Sequence, residues 1–110
     1  MAREQGAQVN AVFAAVSNPT RRQILALLKG RELPAGVLVA AFPALPQPAV
    51  SRHLKVLRES NLVLVEKRAQ QRIYRINSDT MLKLEEWAKQ MAQRLDALDE
   101  VVKKERVRES

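Results

Sequence analysis

Seven apolar residues near the end of the chain, Met81, Leu84, Ala88, Met91, Leu95, Leu98 and Val102, follow one another at alternating steps of three and four. That spacing keeps one stripe on one side of an α-helix and forms the kind of seam along which two helices zip together. The sequence predicts a helix from Thr80 to about Val102, with Ser78 or Asp79 as its cap. At about 1.5 Å per residue it spans roughly 35 Å, more than the core of a small domain can cover. The 110 residues suit one domain with a modest interior, and domains of this size often gain stability by pairing. A second copy is the expected partner of the seam. The alternative is a long helix lying across its own domain, and Trp87, beside the stripe, suits either packing.

The elements before the seam are short. In "VNAVFAAV", Val9, Val12, Phe13 and Val16 share one helical face, and Ser17-Asn18-Pro19 breaks the pattern. Asn18 is a good N-cap and Pro19 a good first-turn residue for a second helix through "TRRQILALL", which Gly30 closes. A third helix is expected in "PAGVLVAAF", opening on Pro34 and ending at Phe42-Pro43; Gly36 leaves it dependent on packing. In "LPQPAVSRHLKVLRES", Val50, Leu54 and Leu57 make a narrow buried stripe, while Gln47, Ser51, Arg52, Lys55 and Arg58 crowd the remaining surface. This helix should end at Ser60, because Asn61 accepts a left-handed conformation. The runs "LVLVEK" and "RIYRI", joined by "RAQQ", read as a hairpin, with Tyr74 and Ile76 sealing it to the core. The whole is mainly α with a small β-hairpin, in the order ααααββα, which is the plan of a winged helix-turn-helix. Residues 8–102 form the expected domain, with tails at 1–7 and 103–110.

Charge is unevenly placed. The net +7 lies wholly between Arg21 and Arg75: residues 21–60 carry +5, residues 61–77 carry +3, and residues 78–110 carry −1. A localised basic surface of this kind suits a polyanion, nucleic acid before an anionic membrane surface or an acidic protein. The chain has no cysteine, which removes disulfides, thiolate metal sites and thiol nucleophiles together. Its one histidine, and the lack of a glycine-rich phosphate loop, leave no nucleophile with a base, so no catalytic residue is expected. No apolar leader and no run long enough to span a bilayer are present, so a soluble cytoplasmic protein without membrane contact is expected.

With "NPTRRQILALL", then "QPAVSRHLKVLRESNLV" and "RIYRIN", the sequence resembles the ArsR (ArsR/SmtB-like) family of bacterial winged-helix transcriptional repressors over about residues 8–102. The resemblance implies a homodimer built on the first and last helices, an operator of two-fold pseudosymmetry, and release by an effector, which here would be an unknown small molecule. Val9, Val12, Phe13, Leu84, Trp87, Met91, Leu95, Leu98 and Val102 are the expected interface residues. The C-terminal "LEEW…RLDAL" is similar to that of a subgroup without a metal site. Pro34 and Gly36 stand where metal-sensing members carry cysteines, and the last helix has no histidine, so neither metal nor cofactor is expected. The hairpin turn lacks the family's usual glycine, having Ala69-Gln70-Gln71, and Pro46 replaces a usual serine cap.

On that frame Gln47, Ala49, Ser51 and Arg52 are the expected base readers. Gln47 can pair with adenine, Arg52 with guanine, Ser51 can donate or accept, and the Ala49 methyl can pack on thymine. Lys55 and Arg58 should meet phosphate. For His53 the family pattern implies a backbone contact, while a half-buried histidine bonded within the protein is equally consistent with the residues. The "PTR" arginine, Arg21, is largely structural in the family. In the wing, Lys67, Arg68 and Arg72 flank the turn and Gln70 and Gln71 sit at its tip, in reach of a minor groove or its phosphates. Two rivals are an interaction module docking an acidic partner without binding DNA, and a sensor gated by a small molecule.

Overall fold

The computed structural model describes residues 2–109. The elements run α1 (Ala2–Val16), α2 (Pro19–Leu27), β1 (Leu33–Pro34), α3 (Ala35–Ala40), α4 (Gln47–Glu59), β2 (Val63–Arg68), β3 (Gln71–Ile76) and α5 (Ser78–Glu109). This is the expected winged helix-turn-helix with one addition. The two-residue strand β1 pairs Leu33 with Tyr74 and Pro34 with Ile73, making a three-stranded antiparallel sheet of order β1-β3-β2. A strand this short carries no period of its own, and its proline is tolerated because β1 lies at the sheet edge. Pro34 also serves as the N-cap of α3, so the third helix begins one residue later than expected.

Local chemistry fixes the helix ends. The side chain of Asn18 accepts from the Arg21 backbone N–H at 3.1 Å, with Pro19 in the first turn behind it. At the far end of α4, Asn61 takes φ 64°. Its N–H donates to the Arg58 carbonyl and the Leu62 N–H to the Leu57 carbonyl, both at 3.0 Å. These two bonds make a Schellman termination, and the usual apolar contact follows from it: Leu57 and Leu62 are both fully buried in one core cluster. The helix therefore stops and turns into β2 by a built-in device.

Val12, Ile24, Leu28, Leu38, Val50, Leu57, Leu62 and Val63 are the largest fully buried side chains, and Tyr74 closes the cluster from the sheet. Each contributes about 1.5–3 kcal/mol relative to exposure. Val12, expected at the interface between copies, is 0 % exposed within this core, so it is spent inside the protomer. The α-helical face of α1 is split: Val12 and Ala15 point into the core, while Val9 and Phe13 stay half-buried at its margin.

The two terminal helices outrun the boundaries read from sequence. Helix α1 begins at Ala2, inside the expected tail, and α5 continues to Glu109, through the tail expected from residue 103; Met1 and Ser110 lie outside the described residues. Helix α5 has 32 residues, about 48 Å at helical rise. Only its first turns rest on the domain: Met81, Leu84 and Trp87 pack against the core, and every residue from 88 to 109 is exposed. The radius of gyration is 18.2 Å, against about 13 Å for a compact chain of this length, because the helix projects.

Candidate nucleic-acid interface

Helix α4 presents three sides. Val50, Leu54 and Leu57 bind it to the core. At about 100° per residue, Arg52, Lys55 and Glu59 stand on the side away from that stripe, Gln47, Ser51 and Arg58 lie on the flank toward the wing, and Ala49 and His53 lie on the flank toward α2. Gln47, Ser51, Arg52, Lys55 and Arg58 are all exposed; Ala49 is half-buried, so its methyl is not brought together with the outward set. The helix has no side-chain cap, since Pro46 occupies the N-cap and Pro48 the first turn.

His53 is half-buried, and its Nδ1 accepts from Arg21 Nη1 at 3.2 Å. Arg21 also donates from Nε to the Ala15 carbonyl at 2.7 Å and from Nη2 to the Ala14 carbonyl at 3.2 Å. Arg22 Nη1 donates to the Val16 carbonyl at 2.7 Å. The consecutive arginines thus satisfy the last carbonyls of α1, where a helix leaves acceptors unpaired and carries partial negative charge. Burial, then the neighbouring Arg21 and Arg52 charges, hold the His53 pKa below the ordinary histidine value of 6.5. The ring is placed as a protein-bonded group, with Arg21 between it and α1.

The wing alternates faces. Lys67 and Arg72 are directly paired across β2 and β3, on the same sheet face as Val65 and Tyr74, which is the side toward α4. Arg68 lies on the opposite face. It donates to both carboxylate oxygens of Glu32 and, from Nη2, to Glu66 Oε2 at 2.8 Å. These hydrogen bonds raise the Arg68 pKa and lower that of Glu32. Sequence reasoning placed Arg68 beside Lys67 and Arg72 as a wing contact; the alternation of the strand and the two carboxylates take it away from them. Gln71 shares that outer face, and the turn residues Ala69 and Gln70 are exposed at the tip, Ala69 with φ 53°.

Among the described residues, the side chains of Arg52, Arg58, Lys67 and Arg72 make no hydrogen bond or ion pair within the protein, while Lys55 lies 3.9 Å from Glu59 with both side chains mostly exposed. Exposed pairs of that kind are worth little. Of the expected interface residues, Val9, Phe13, Trp87 and Met91 line one groove of ≈ 680 Å³ between α1 and α5. Leu84 is half-buried against the core, and Met91, Leu95, Leu98 and Val102 are 46–59 % exposed along the projecting helix. Val101, 55 % exposed beside that stripe, widens it and was missed because it falls outside the strict three-four alternation.

Residues 16–66, from the end of α1 into β2, match a family described as a helix-turn-helix domain. The transcriptional repressor SdpR of Bacillus subtilis is 36 % identical over 73 residues, covering 66 % of this chain and 80 % of the relative. Among solved structures, an ArsR-like transcriptional regulator from Rhodococcus sp. RHA1 superposes with a TM-score of 0.64 at 28 % identity, covering 89 % of this chain and 95 % of that one. The chain belongs to the ArsR family of winged helix-turn-helix transcriptional regulators. The structure of NolR from Sinorhizobium fredii is also similar, with a TM-score of 0.63 and 31 % identity over 81 % of this chain and 88 % of NolR. Fold and family are those of ArsR regulators rather than of enzymes. In this ArsR-family member α4 is the second helix of the helix-turn-helix, and β2 and β3 are its wing.

Proposed function

We propose that this ArsR-family chain represses transcription as a homodimer bound to an inverted-repeat operator in the cytoplasm, with one α4 in each of two major grooves about 34 Å apart. The reading rests on how the arginines are divided. Arg21, Arg22 and Arg68 are occupied by protein acceptors, whereas Arg52, Arg58 and Arg72 of α4 and the wing have none among the described residues. Unpaired guanidinium groups on one exposed surface are what an external polyanion requires.

Gln47, Ser51 and Arg52 read base edges from the first half of α4, and Lys55 and Arg58 fix register on phosphate. Lys67, Arg72 and Gln70 meet the backbone from the wing, while Arg68 and Gln71 stay on its outer face, where Arg68 holds the wing to Glu32. His53 supports α4 through Arg21. The exposed stripe of α5, joined by the groove at Val9, Phe13 and Trp87, is where the second copy packs. Among the described residues no helix is long and apolar enough to cross a membrane. The name of the relative SdpR, a transcriptional repressor, supports repression rather than activation.

Binding selection from random duplexes at fixed salt tests the proposal. An enriched inverted repeat with half-sites one helical turn apart is expected; enrichment of no sequence would overturn it, and capture of an acidic protein in its place would favour a docking module.

A further inference from the structure

Between α4 and the wing runs a groove of ≈ 570 Å³. Lys55 and Arg58 reach it from α4 and Arg72 from β3, with Gln47, Ser51 and Tyr74 beside them and Ala35, Val39 and Leu54 forming an apolar wall. Among the described residues no acidic one lines it. Its two arginines come from elements joined only through the Schellman turn and β2, yet both face the same space, and neither guanidinium has a protein partner among the described residues. Two uncompensated cations held toward one concave surface repel each other unless an anion sits between them. A guanidinium offers a planar fork matched to phosphate oxygens, and two forks from opposite walls can hold one phosphate at once.

We infer that this groove seats a single phosphate of the DNA backbone, gripped jointly by Arg58 and Arg72. The inference rests on the DNA-binding reading above and adds to it: the wing docks through the phosphate beside α4, and Arg72 is a positioning residue for α4 rather than a minor-groove reader. Lys67, paired with Arg72 in register but not lining the groove, is left for the next stretch of backbone.

The test uses a duplex from the random selection, carrying one neutral methylphosphonate at each backbone position in turn, with the wild-type protein, Arg58→Ala, Arg72→Ala and the double variant. One position per half-site should weaken wild-type binding about tenfold, each single variant should be less sensitive at that same position, and the double variant should not be sensitive there at all. Because neutralising one phosphate contact changes the slope of log affinity against log salt by about 0.9, the double variant should flatten it by about 0.9 per half-site and not by about 1.8. Both side chains are exposed, and unchanged melting curves verify that the fold is intact. Sensitivity at two different positions, or the larger slope change, overturns the shared grip while leaving DNA binding intact. Competition by low-millimolar inorganic phosphate that depends on both arginines would make the groove a free-anion site and overturn the assignment to the backbone. Loss of all duplex preference in the wild type would instead sink the reading beneath it.

Discussion

Arg21 Nη1 lies 3.2 Å from His53 Nδ1, so one guanidinium on α2 ties the flank of α4 to the closing carbonyls of α1. Since arginine can only donate, the neutral imidazole must carry its proton on Nε2. Three helices meet at that side chain. Arg21→Ala should destabilise the protein by about 2 kcal/mol, because charge-assisted bonds to the Ala14 and Ala15 carbonyls disappear with the His53 contact. Arg21→Lys should recover only part of this, lacking the fork. Urea denaturation of the two variants checks both statements.

Burial of His53, and then the Arg21 and Arg52 charges beside it, make stability depend on pH. A proton on Nδ1 would abolish the acceptor and set a third positive charge beside Arg21 and Arg52. The folded protein holds the His53 pKa below 6.5, so in the window below 6.5 the unfolded chain binds the proton first. Stability should therefore fall as pH drops through that window and be fully present above it. His53→Gln should show a shallower decline between pH 7.5 and 5.5 in parallel denaturation series; identical declines would remove His53 as the cause.

For DNA, Arg52 and Lys55 should separate cleanly. Arg52→Ala is expected to cost about 1–3 kcal/mol against the matched base and to relax preference there alone, while Lys55→Ala weakens all sequences and flattens the salt slope by about 1. Mobility-shift titrations at three salt concentrations distinguish the two patterns.

Along α5, Leu95 is 56 % exposed in the middle of the apolar stripe. Leu95→Glu should turn the proposed dimer into single chains by light scattering while leaving the winged domain folded. An unchanged dimer would place the contact between copies elsewhere.

At the wing tip, Ala69 holds φ 53°, a conformation that costs a side-chain-bearing residue about 1–2 kcal/mol. Ala69→Gly should raise stability by about 0.5–1 kcal/mol after the glycine's extra freedom in the unfolded chain is counted. Thermal melting reads this directly.

What the sequence made legible was local or periodic. The α5 stripe, the Asn18 cap and the left-handed Asn61 each follow from residues within a few positions of one another. The α4 stripe of Val50, Leu54 and Leu57 is likewise a matter of spacing. What it hid depends on distant partners. The Arg68–Glu32 contact joins residues 36 apart in sequence, and Arg21 reaches His53 across 32 positions. No pattern near Arg68 announces that it is occupied, although the two-residue alternation of β2 already set it opposite Lys67. Val12 was misplaced because a single apolar helical face served two neighbours, and only packing shows which residues of α1 turn inward. Strand β1 is too short to carry a signal apart from the Tyr74 and Ile73 it pairs with.

The unsupported length of α5 has a quantitative result for control. If a second copy supplies the missing cover, the species able to span both half-sites grows as the square of chain concentration while chains are scarce. Doubling synthesis would then raise promoter occupancy up to fourfold, giving a threshold with no inducer in the circuit.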